Sequence, residues 1–157
     1  MQGRMGEPLN ENGKEQARIL RKELHNISFD FVFSSPQKRA VETAEIITGK
    51  QAILDDRLDV YNLGEADRLH IRDVKMVGPL PDPSVYKGVE KPEEFVKRVF
   101  NFMSDIENKY GKQEKNILIC GHRCTTACIG AYSKRVPVDE NIFRFSSKTG
   151  EYKRFTF

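Results

Sequence analysis

A chain of 157 residues with 38% hydrophobic content suits one domain that can bury a single ordinary core. Charged residues at 31% and aromatics at 10%, without tryptophan, mark a globular rather than a disordered composition. The formal charge of +3 suits an anionic small molecule but is too weak and scattered to indicate nucleic acid, and no apolar run approaches the roughly 20 residues of a membrane span.

In chain order, the opening "MQGRMGEPLNENGK" has no apolar h-region, so no secretory signal is expected. Asn10 can cap a helix through "ENGKEQARILRKELHN", where Ala17, Leu20 and Leu24 share one apolar stripe. "FDFVFSS" at 29–35 predicts a strand rich in aromatic and β-branched residues. Pro36 suits a first helical position, and "QKRAVETAEIITG" predicts a helix closed by Gly49. "QAIL" predicts a short strand. Residues 55–91 show no clear period and are expected to form a long irregular excursion, the usual character of a functional lid. "KPEEFVKRVFNFMSDIENKYG" is the strongest helix pattern, opened by Pro92 and two acids and ended at Gly111. "NILIC" predicts a fully apolar strand and "TTACIGAYSKR" a helix. "NIFRFSS" and "EYKRFTF", separated by "KTG", predict a terminal hairpin.

Strands alternating with helices predict a single α/β domain over 1–157. Its expected architecture is a three-layer sandwich, a mostly parallel sheet with helices on both faces. Reactive residues in such sheets gather at the carboxyl ends of strands. Two stretches sit there: "SSPQKRA" after the first strand and "GHR" after "NILIC". A histidine closing a strand often only bonds a neighbouring carbonyl. His122, however, is followed by Arg123 and a helix start, a combination that forms an anion site. His122 could there stabilise a transferring phosphoryl group as a donor. Arg39 lies on the first turn after a strand, aimed at its carboxyl end, where a guanidinium can grip a phosphate in bidentate fashion.

"SSPQKRAVETAEII", "MQGRMGEPLNENGKEQA" and "ILICGHRCTTACIGAYSKRVP" resemble, in the right order and over most of the chain, the histidine phosphatase superfamily, or phosphoglycerate mutase-like family. The likeness is closer to its small bacterial phosphomonoesterases than to the glycolytic mutases. The resemblance implies hydrolysis of small phosphomonoesters through a phosphohistidine, without a cofactor or metal. It also implies that Arg39 binds the phosphate, that His122 is the second active-site histidine, and that Gln2 and Gly3 lie where the substrate loop approaches. A glycine there lets the backbone come close. Arg123 stands where the family usually has a small glycine, and either adds a phosphate contact or crowds the pocket.

Two departures bear on activity. Family members begin with a strand ending in Arg-His-Gly, whose histidine is the nucleophile; no such triplet occurs in this chain, and His25 and His70 are poorly placed to replace it. The family's proton-donating glutamate corresponds to Val60, leaving Asp59 and Glu65 as nearby carboxylates, of which Glu65 is the candidate donor. The missing strand implies a gap in the sheet beside "NILIC". The terminal hairpin moving across, a second copy of the chain in a homodimer, or residues upstream of Met1 would each close it.

Competing chemistries rank lower. Cys120, Cys124 and Cys128 with His122 suggest a metal site, but a strand and a helix separated by a turn do not favour tetrahedral convergence. A cysteine-phosphatase loop fails on spacing, since Gly130 occupies the place of its arginine. The three cysteines, within nine positions, make no disulfide framework, and a reducing cytoplasm is the default expectation. Two functions remain: a phosphomonoesterase acting on a small phosphorylated molecule, or a non-catalytic relative that binds a phosphate ligand or a protein partner. Neither nucleic acid nor membrane is an expected partner.

Overall fold

The computed structural model describes residues 2–78, 80–136 and 142–156. Helix α1 spans Glu11–Glu23, and Asn10 caps it by accepting a hydrogen bond from the Gly13 N–H. Strand β1 is Phe31–Ser34, and helix α2 follows at Lys38–Thr48. The helix starts two residues after Pro36. The buried Ser35 hydroxyl takes the Gln37 N–H (3.2 Å), so the Pro36–Gln37 step is a turn anchored on the strand rather than a first helical turn. Gly49 closes α2 in the left-handed conformation (φ 68°).

Strand β2 is Ile53–Leu54. The excursion beyond it has more structure than its composition suggests. Three 3₁₀ turns lie at Asp56–Leu58, Gly64–Ala66 and Ile71–Asp73, and β3 (Met76–Val77) pairs antiparallel with β4 (Leu80–Pro81). Helix α3 (Pro92–Tyr110), strand β5 (Ile117–Cys120) and helix α4 (Arg123–Ser133) complete the regular core. Among the described residues, no helix is long and apolar enough to cross a membrane.

The main sheet is parallel with order β2-β1-β5, and its register pairs Ser34 with Cys120. Side chains alternate between its faces, as the pleat requires. Val32 and Cys120 pack with Leu20, Leu24, Ala44 and Ile47 beneath α1 and α2. Phe33 packs on the opposite face with Val99, Phe102, Met103, Cys128 and Ile129 of α3 and α4. Phe102 is fully buried and meets Phe33 edge-on at 5.5 Å. Burial of a side chain of that size is worth about 2–3 kcal/mol. The result is the predicted sandwich, two helices on each face of a parallel sheet.

The terminal hairpin does not form. Ile142–Phe145 is a 3₁₀ turn, and residues 151–156 are irregular; Asn141 and Phe157, at the ends of the predicted hairpin, lie outside the described residues. A two-stranded ribbon is marginal in water unless its face finds a partner. Here packing against the body of the protein prevails. Phe145 lies directly on Gly130 of α4, Gly150 rests against Gln16 of α1, and Phe155 packs on the α3/α4 side of the core. Among the described residues, β5 has no neighbour strand on its outer side.

Candidate functional site

The parallel register brings the ends of β1 and β5 side by side, and the Ser35 N–H bonds the Cys120 carbonyl at 2.9 Å. Arg39, in the first turn of α2, and His122, the N-cap of α4, therefore meet although 83 residues apart in sequence. Arg39 Nη2 lies 3.4 Å from His122 Nδ1 and donates to the Gly3 carbonyl at 3.0 Å. Arg39 Nη1 is buried without a hydrogen-bond partner. A buried guanidinium nitrogen in that state carries an unmet demand for an acceptor. Burial draws Arg39 below its ordinary pKa, with Asp59, Asp67 and Cys124 counteracting.

The hydrogen bonds define the state of His122. A guanidinium has only donors, so the nitrogen facing it, Nδ1, must present its lone pair. The proton then sits on Nε2 and is donated to Ser35 Oγ at 2.8 Å. Ser35 Oγ also accepts from the Gln37 N–H and turns its own proton to Asp59 Oδ1 at 3.4 Å. The opposite tautomer would set two donors against each other at Nδ1. Burial, Arg39 and Arg98 push His122 down to about 3, so the ring is neutral at physiological pH.

Asp59 is firmly held. Its Oδ1 accepts from the Val60 N–H (2.7 Å) and Gln37 Nε2 (2.9 Å), and its Oδ2 pairs with Arg4 at 3.2 Å. The segment that carries it is clamped by Arg98 of α3. Arg98 donates to the carbonyls of Asp56, Arg57, Asp59 and Val60 and grips the Glu90 carboxylate with Nε and Nη2 (2.7 and 3.0 Å). Burial alone would raise Glu90, but the Arg98 and Asn62 hydrogen bonds prevail and hold it below its ordinary value. The start of the excursion thus forms one wall around the Arg39–His122 pair.

Residues 3–6 form another wall. Asp67 accepts from the N–H groups of Gly3 (2.7 Å) and Met5 (2.9 Å), and Arg68 Nε donates to the Met5 carbonyl. A side chain at either glycine would displace a polar group of the cluster. A Cβ on Gly3 would fall 2.7 Å from Asp67 Oδ2, and one on Gly6 would fall 2.1 Å from Arg39 Nη1.

The remaining sequence candidates lie elsewhere. Gln2 is exposed, on a surface depression shared with Met5, Gly6, Glu7 and Arg68. Arg123 is exposed and turns its Nε toward Ser146 Oγ at 3.5 Å, so it neither adds a contact to Arg39 and His122 nor crowds them. Glu65 is exposed, and its carboxylate accepts from the Lys87 N–H at 3.0 Å; of the two carboxylates, Asp59 joins the cluster and Glu65 does not. Val60 is buried. His25 bonds the Lys22 carbonyl and His70 caps the Ile71–Asp73 turn, so neither lies in the pocket. Cys120 and Cys128 belong to core clusters on opposite faces of the sheet, which explains why the cysteines do not converge. Among the described residues, no group of three or more His, Cys, Asp or Glu could hold a metal ion. Ser35, Gln37, Asp67 and Arg98 escaped the sequence reading. Only Ser35, a polar residue ending an apolar strand, carried any signal.

The parallel α/β sandwich thus brings a guanidinium and an imidazole together at the carboxyl ends of its strands. The chain belongs to the histidine phosphatase superfamily (branch 1), which it matches over residues 1–157. It is 33% identical over 141 residues to a Hydrogenobacter thermophilus protein named "Putative phosphoserine phosphatase 2", a match covering 82% of this chain and 67% of that one. A Bacillus subtilis protein named uncharacterized phosphatase PhoE is 29% identical over 124 residues, covering 77% and 62% of the respective chains. The chain thus spans about two thirds of these relatives' length. The alpha-ribazole phosphatase of Shigella flexneri shares the fold with a TM-score of 0.79 at 24% identity, covering 96% of this chain and 78% of that one.

Proposed function

We propose that the pocket between Arg39 and His122 binds the phosphoryl group of a small phosphomonoester. Where a nucleophilic histidine is supplied to that pocket, the ester is hydrolysed through a phosphohistidine. The observation that carries the reading is the Arg39 guanidinium, whose Nη1 is buried without a partner while its Nη2 lies beside the His122 imidazole. A phosphate oxygen is the acceptor that best meets a guanidinium's fork. The Gly3 carbonyl on Nη2 is a neutral acceptor at a position where an anionic oxygen would bind more strongly. Membership of the superfamily and the phosphatase names of the curated relatives support the same chemistry.

A second reading is favoured by a specific observation: neither His25 nor His70 lies in the pocket, and the described carboxylates nearest Arg39, Asp59 and Asp67, are both already engaged by hydrogen bonds. On that reading the 157-residue chain binds a phosphate ligand without turning it over. Two measurements separate the readings. Calorimetric titration with inorganic phosphate or vanadate should show binding that Arg39→Ala abolishes; no heat from the wild-type chain would refute the phosphate pocket. Steady release of p-nitrophenol from p-nitrophenyl phosphate, lost in His122→Ala, would identify the chain as an enzyme in its own right and remove the second reading.

A further inference from the structure

We propose that Ser35, oriented by Asp59, is a positioning residue that sets the tautomer of His122 and holds its Nδ1 lone pair toward the Arg39 pocket. Three contacts carry this. His122 Nε2 lies 2.8 Å from Ser35 Oγ, the Ser35 hydroxyl proton has Asp59 Oδ1 as its acceptor, and Arg39 Nη2 faces Nδ1. Ser35 is fully buried, so no water competes for its hydroxyl. Its two acceptor positions take the His122 Nε2–H and the Gln37 N–H, and its single proton goes to Asp59. Reversing the Ser35–His122 bond would leave Asp59 Oδ1 without that proton and point an N–H at a guanidinium. Two charged groups act on the ring directly, Arg39 from α2 and Arg98 from α3; Asp59, Asp67 and Cys124 act on Arg39, and Asp59, itself paired with Arg4, reaches the ring through Ser35.

The consequence for the site rests on the phosphate reading above. A ring with its lone pair toward the pocket accepts a proton from an arriving monoanionic phosphoryl group. It then becomes a two-donor imidazolium, bonded to Ser35 on one side and to the bound dianion on the other. The proton moves from a phosphoryl oxygen to Nδ1, and Arg39 Nη2 exchanges its contact with Nδ1 for one with the bound dianion. Phosphate binding is thereby tied to a proton that the relay keeps in a defined place.

The test is nitrogen-15 NMR of the histidine side chains in the ligand-free full chain, with the His122 signals assigned by their loss in His122→Gln. The wild-type ring should be neutral near pH 7 and carry its proton on Nε2. Ser35→Ala should shift the tautomer ratio about tenfold toward Nδ1–H, the effect of losing one hydrogen bond. Asp59→Asn, which keeps an acceptor at Oδ1, should retain the wild-type tautomer, whereas Asp59→Ala should not. A wild-type Nδ1–H tautomer, or a Ser35→Ala ring unchanged from wild type, overturns the proposal. A native-like near-ultraviolet circular dichroism spectrum verifies that each variant folds, and the wild-type measurement decides the matter even where a variant does not. Because the tautomer is read without ligand, absence of phosphate binding would overturn the pocket reading and leave the relay intact.

Discussion

Acidification offers a direct probe of the buried imidazole. His122 has a folded pKa of about 3, against 6.5 for an unhindered ring. A base lowered in this way takes up a proton more readily in the unfolded chain than in the folded one. Above pH 6.5 both states hold it neutral and it costs nothing; as pH falls toward 3, protonation of the unfolded chain draws the equilibrium away from the fold. At about pH 5 the nominal cost is about 2 kcal/mol, and the partial exposure of the ring trims this to roughly 1–2 kcal/mol. The assay is urea unfolding at about pH 7.5 and about pH 5, for wild type and His122→Gln. Wild type should lose roughly 1–2 kcal/mol more than the variant on acidification. Asp55 and Glu90 are also held below their ordinary values and lose stabilisation in acid, but they do so in both proteins and cancel. Equal losses in the two proteins would refute the assignment of a buried, neutral ring.

Two further outcomes are expected. Arg98→Ala takes from the partly buried Glu90 its bidentate partner and releases four backbone carbonyls of the 56–60 segment, and should cost about 3 kcal/mol in denaturant unfolding; a loss below about 1 kcal/mol would show that the clamp is dispensable. Burial raises the thiols of Cys120 and Cys128 to about 12 and also raises Cys124, so an aromatic disulfide reagent near pH 8 should label none in the native chain and three in denaturant. Rapid native labelling would contradict the core assignment of these residues.

Local patterns were enough to read most of the framework. The apolar stripe at Ala17, Leu20 and Leu24, the Asn10 cap, the Gly49 stop and the Pro92 start each depend on a few neighbouring residues, and each predicted helix is present within two or three residues at its ends. The same holds for β1 and β5, whose runs of apolar residues suit a strand buried on both faces. Arg39 and His122 were each legible as candidates from their places just beyond a strand. The terminal hairpin was not legible, because alternating residues at 141–157 describe only a preference, and the partner that decides it is Gly130 and the surface around it.

Which carboxylate enters the pocket was likewise beyond the linear pattern. Asp59 and Glu65 lie six residues apart in one irregular stretch with similar chemistry. Asp59 turns inward because Arg98, Gln37 and Arg4 reach it from elsewhere in the chain, while Glu65 meets the Lys87 amide at the surface. The sequence by itself determined the helices, the strands β1, β2 and β5, and the separate nomination of a guanidinium and an imidazole. Tertiary structure alone decided that the two meet, because only the parallel pairing of Ser34 with Cys120 closes the 83-residue gap. It also decided which way the imidazole carries its proton, since that depends on a hydroxyl and a carboxylate brought to it from two other segments.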